Sequence, residues 1–88
     1  MKAIFCKSYG PPENLVLEEV QDLKPGKGEA LVEVYAAALN FPDTLQIAGE
    51  YQYQPPLPFS PGSEASGIII ELGPNIKGFE IGDRVMAI

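Results

Sequence analysis

Leu57-Pro58-Phe59-Ser60-Pro61-Gly62-Ser63-Glu64-Ala65-Ser66-Gly67-Ile68-Ile69-Ile70 passes from a proline-punctuated loop into the chain's clearest strand. Proline lacks a backbone N–H and fixes φ, and Pro55, Pro56, Pro58 and Pro61 all fall between Tyr51 and Pro61. That span reads as an extended loop poor in backbone hydrogen bonds, neither strand nor helix. From Glu64 to Leu72 the apolar, β-branched run suits a strand. Gly62 and Gly67 stand where positive φ or close packing excludes a side chain.

Working outward, Asn40-Phe41-Pro42-Asp43-Thr44-Leu45-Gln46-Ile47-Ala48-Gly49 carries an early proline, an acid in the first turn and a closing glycine. These start and stop signals predict a helix of about two turns. From Glu29 to Ala38, Ala30, Val32, Val34, Ala36 and Ala38 are apolar at every even position, the period of a half-buried strand, although Leu31 and Tyr35 share the other face. Met1 to Lys7 predicts a short strand, Tyr9 to Asn14 a turn, Leu15 to Val20 a partner strand, and Lys24 to Gly28 a further turn. Downstream, Gly73-Pro74-Asn75 turns the chain, Phe79 and Ile81 are expected to pack inward, and Arg84 to Ile88 begins another strand. Six or so short strands with one brief helix predict a mainly β protein, a small barrel.

The 88 residues suffice for one domain. A net charge of −6, with scattered basic residues, argues against nucleic acid or anionic lipid as a partner. Histidine is absent, which removes histidine-based triads, proton shuttles and metal sites from within this chain. Cys6 is the single cysteine and sits in an apolar strand pattern, so it reads as buried packing with no internal disulfide. No leader-like segment and no membrane-length apolar run are present, and the expected compartment is the cytoplasm. Gly26-Lys27-Gly28 continues into Glu29-Ala30-Leu31 and completes neither a dinucleotide nor a Walker pattern; it reads as a turn.

The segment from Leu57 through Gly67, followed by Ile68-Ile69-Ile70 and by Gly82-Asp83-Arg84-Val85, resembles the catalytic domain of the medium-chain dehydrogenase/reductase superfamily. The resemblance covers residues 1–88 and implies the GroES-like fold, a partly open β-barrel. It also implies that this domain is incomplete at its C-terminal end and lacks the Rossmann domain. In the superfamily's zinc-dependent branch, cysteine stands at the position of Asn40 and histidine at that of Ser63. An amide and a hydroxyl are poor substitutes for those ligands, so no zinc is expected. The pattern Asn40-Phe41-x-Asp43-Thr44 is very similar to the zinc-independent, zeta-crystallin-like quinone oxidoreductases.

On that resemblance, Asn40, Phe41, Asp43 and Leu45 lie on the cofactor's nicotinamide side and Tyr51 on the substrate side, with no obligatory acid or base. Leu45 departs from the tyrosine often found there and offers no hydrogen bond. Each residue also has a structural reading: Asn40 caps the helix, Asp43 favours its N-terminus, and Tyr51, like Tyr53, covers the proline-rich loop. Ser63 has no histidine to activate it and reads as a loop hydroxyl bonded to backbone. Glu64 pairs with Arg84 or accepts backbone hydrogen bonds.

The implied activity is hydride transfer from NADPH to a quinone or enone. The cofactor would be held mainly by a domain absent from this chain, so the 88 residues alone are expected to be inactive. The strand beginning at Arg84 is expected to leave an apolar edge that favours a homo-oligomer. The alternative is a stand-alone GroES-like binding or oligomerisation module without enzymatic activity, which would call for a long mobile loop where this chain has prolines.

Overall fold

Fixed proline geometry turns the chain back on itself within its first twenty residues. In the computed structural model, which describes residues 1–88, β1 (Lys2–Phe5) pairs antiparallel with β2 (Val16–Glu19), Lys2 opposite Glu19 and Phe5 opposite Val16. Between them Pro12–Asn14 forms a single 3-10 turn, begun by a proline that needs no hydrogen-bond acceptor there. The far end of the ribbon is closed by Val20 N–H donating to the Met1 carbonyl at 2.8 Å and the terminal ammonium donating to the Val20 carbonyl at 2.7 Å.

The helix α1 (Phe41–Ala48) starts and stops where its signals place it. Asn40 is its extended N-cap, and Gly49, at φ 77°, its left-handed C-cap. Gly49 N–H reaches the Gln46 carbonyl at 3.1 Å and Glu50 N–H the Leu45 carbonyl at 2.9 Å. This is the paired closure that satisfies the last helical carbonyls and requires a left-handed residue. Cys6, just past β1, exchanges backbone bonds of 2.7 and 3.2 Å with Phe59. Cys6, Ile47 and Phe59 are buried together with Leu15 packed against them, so one cluster joins the ribbon, the helix and the proline-rich loop. Burying such a side chain contributes roughly 1.5–3 kcal/mol. These elements belong to one compact unit, Met1–Gln21 with Leu39–Ser63.

The second unit, Asp22–Ala38 with Glu64–Ile88, is a three-stranded antiparallel sheet in the order β3 (Ala30–Ala38), β4 (Glu64–Leu72), β5 (Arg84–Ala87). Central strand β4 supplies the unit's buried Ile69, which is 2% exposed. Gly67 lies so close under β3 that a Cβ there would strike the Glu33 carbonyl oxygen and Val32 Cγ1, the close packing that its position suggests. Before β5, Asp83 accepts from Glu80 N–H at 2.9 Å through its carboxylate and donates its own N–H to the Glu80 carbonyl at 3.1 Å.

The protein is mainly β with one short helix, as expected. Three expectations need correction. There are five strands, because Cys6 and Phe59 form only an isolated bridge and the turn chemistry between β4 and β5 leaves no further strand. Phe79 and Ile81 do not pack inward; they are 49% and 65% exposed, on a turn-rich connection. The even-numbered face of β3 is only half covered: Ala30 and Val32 are partly buried, but Val34, Ala36 and Ala38 are exposed. Register shifts at Leu31/Val32 and Val34/Ala36 break the two-residue alternation, and the sheet is its unit's only layer of regular structure. No helix is long and apolar enough to cross a membrane.

Candidate functional site

Local chemistry at the start of α1 fixes the position of the most interesting side chain. Asn40 and Asp43 form a capping box, in which Asn40 N–H donates to Asp43 Oδ2 at 2.8 Å and the Asn40 side chain accepts from Asp43 N–H, which also reaches the Asn40 backbone carbonyl at 3.0 Å. Asp43 is buried, at 8% exposure, so its carboxylate is committed to the cap and holds Asn40 rather than facing solvent. Thr44 Oγ1 donates to the Phe41 carbonyl at 2.6 Å, a second local tie in the first turn.

Beside this helix end lies a cavity of about 650 Å³. Its wall includes Asn40, Asp43, Tyr51, Tyr53, Phe59 and Ser63, all within the first unit. Asn40 and Ser63, far apart in sequence, therefore share one concave surface with both tyrosines. Phe41 and Leu45 are not on that wall. Phe41 is 73% exposed, and Leu45 is half-buried. Ser63 is exposed, directly after Gly62, whose φ is 106°. Glu64, just past this wall, opens β4 opposite Ala38, whereas Arg84 lies opposite Ile68.

Two residues unforeseen from sequence set the shape of the tyrosine wall. Gln46 Nε2 donates to the Tyr53 carbonyl at 3.2 Å, Gln54 Nε2 donates to the Gln46 carbonyl at 2.9 Å, and Tyr51 N–H donates to Gln54 Oε1 at 2.9 Å. Side chains thus provide the hydrogen bonds that a proline-rich backbone cannot. Nothing in the order Tyr51-Gln52-Tyr53-Gln54 announces which glutamine turns back to the helix, because the contact depends on how the loop returns.

The donor set does not fit zinc. No three His, Cys, Asp or Glu side chains come together in the chain, and the cavity offers an amide and a hydroxyl where the zinc branch has cysteine and histidine. The wall also carries no Lys or Arg. A second cavity of about 640 Å³ lies on the sheet of the other unit, lined by Tyr35, Ser66, Ile68, Arg84 and Met86 among others. It is open strand surface, whereas the helix-end cavity gathers several polar groups on an aromatic wall, the usual make-up of a small-molecule site.

The family profile described as the alcohol dehydrogenase GroES-like domain matches residues 26–88. The chain belongs to this family. An acryloyl-coenzyme A reductase of Sulfurisphaera tokodaii is 47% identical to this GroES-like chain over 88 residues, covering 100% of the chain and 25% of the relative. Quinone oxidoreductase-like protein 2 of Rattus norvegicus is 38% identical over 87 residues, covering 99% of the chain and 24% of the relative. A solved mycobacterial structure complexed with NADPH superposes with a TM-score of 0.88 at 34% identity, covering 98% of the chain and 27% of that protein. The GroES-like fold and the kinship with quinone oxidoreductase-like members of the medium-chain dehydrogenase/reductase superfamily are thereby established. The chain spans about a quarter of the length of the curated relatives it matches.

Proposed function

We propose that this GroES-like chain is the substrate-side domain of an NADPH-dependent oxidoreductase that reduces a quinone or enone without zinc. The observation that carries the reading is the placement of Asn40, Tyr51 and Ser63 on one cavity that lacks a zinc donor set. The names of the relatives support the reaction class, and the NADPH in the mycobacterial complex supports the cofactor.

Bound nicotinamide supplies the hydride, and the protein's task is to position two flat rings and exclude water. Asn40 presents an amide at a point held by the capping box, and Asp43 acts through it. Phe41 adds an exposed apolar face next to Asn40 in the chain, and Leu45 adds no polar group. Tyr51 offers a planar surface to stack on and a phenol able to donate to a carbonyl oxygen, and Tyr53 shares the wall. Without Lys or Arg, the wall suits an uncharged conjugated carbonyl, the reacting group common to a quinone and an acryloyl thioester.

Joined to a cognate dinucleotide-binding domain, the chain is expected to reduce a simple quinone with NADPH. Asn40→Ala should raise KM for NADPH about fivefold, the worth of one hydrogen bond, and Ser63→Ala should leave it near the parent value. Steady-state kinetics decide the matter, and equal effects of the two substitutions would sink the assignment of Asn40 to the cofactor side.

A further inference from the structure

The loop after α1 has little means of holding itself. Pro55, Pro56, Pro58 and Pro61 have no N–H to donate, and beyond the helix closure at Glu50 the loop makes backbone-to-backbone bonds to the rest of the unit only where Phe59 bridges Cys6. Tyr51 and Tyr53 nevertheless occupy defined places on the cavity wall. Between the two anchors, the fixed points are the three hydrogen bonds of Gln46 and Gln54.

Gln54 is the centre of this arrangement. Its amide oxygen accepts from Tyr51 N–H while its amide nitrogen donates to the Gln46 carbonyl, so opposite ends of one side chain meet one donor and one acceptor. Turning the amide over would break both bonds, which fixes its orientation. Gln46 completes the circuit by donating to the Tyr53 carbonyl. Gln54 is half-buried and does not itself line the cavity, so whatever it does to a ligand it does through the tyrosines.

We infer that Gln54, assisted by Gln46, is a positioning residue that sets Tyr51 and Tyr53 against the cavity and thereby sets its affinity for a planar conjugated carbonyl. The ligand half of this inference rests on the proposed function; the positioning half does not. Rings already placed lose less freedom when a flat ligand stacks on them, and a loop released from the glutamines would have to be ordered at each binding event.

The test compares the parent chain with Gln54→Met, which keeps the length of the side chain but not its hydrogen bonds, and Gln54→Glu, which keeps the acceptor for Tyr51 N–H and loses the donor. Amide exchange at Tyr51, followed by NMR without ligand, should accelerate about fivefold in Gln54→Met, the loss of one hydrogen bond, and return towards the parent rate in Gln54→Glu. Titration with 1,4-naphthoquinone should show about fivefold weaker binding in Gln54→Met and partial recovery in Gln54→Glu, with the thermal midpoint moving too little to explain either. Unchanged Tyr51 exchange in Gln54→Met would overturn the positioning role. Altered exchange with unchanged naphthoquinone affinity would overturn its link to binding. No naphthoquinone binding by the parent chain would overturn the ligand half together with the quinone reading, while the exchange data would still decide the positioning half.

Discussion

Asn40 meets two demands at one position, since it ends an extended segment as a helix cap and faces the cavity that the proposed chemistry uses. The first demand was legible in the sequence, because an asparagine three residues before an acid, ahead of an apolar helical run, is a start signal with a known mechanism. The burial of Asp43 was not, since an acid in a first turn is usually solvated. Gln54 was hidden for a different reason: its partners are the neighbouring Tyr51 and the more distant Gln46, and only the path of the loop brings them together. Asp43→Ala should remove the acceptor for Asn40 N–H and cost about 1–2 kcal/mol of stability. Chemical denaturation checks this, and a midpoint equal to the parent's would show that the cap contributes nothing.

At the scale of elements, α1 and β4 match their expected extents because each carries its own boundary signals: Gly49 closes the helix, and Gly73-Pro74 closes the strand. β3 was legible as a strand but not as a half-buried one. Alternation predicts which residues share a face, and it cannot predict a bulge or supply a layer to cover that face. The consequence can be measured with two substitutions in one sheet. Ile69→Ala, on the central strand at a residue 2% exposed, should cost roughly 2–5 kcal/mol. Val34→Ala, on β3 at a residue 56% exposed, should stay within about 0.5 kcal/mol. Denaturation midpoints of the two variants decide it, and comparable losses would mean that the Val34 face is covered after all.

At the scale of the whole molecule, fold and family were legible because turn signals recur along the entire chain and the stretch around Gly62–Gly67 is distinctive. The proposed reaction follows from the sequence only in class. A cavity of about 650 Å³ with aromatic and neutral polar walls suits many conjugated carbonyls, and the chain accounts for about a quarter of its relatives' length. The zinc-free part of the proposal rests on Asn40 and Ser63, an amide and a hydroxyl that are poor zinc ligands, standing on one cavity wall. The most direct measurement is the rate of NADPH oxidation by a simple quinone, catalysed by the chain joined to a cognate dinucleotide-binding domain, before and after exhaustive zinc chelation. The account predicts the same rate in both, and a rate abolished by chelation and restored by added zinc would contradict it.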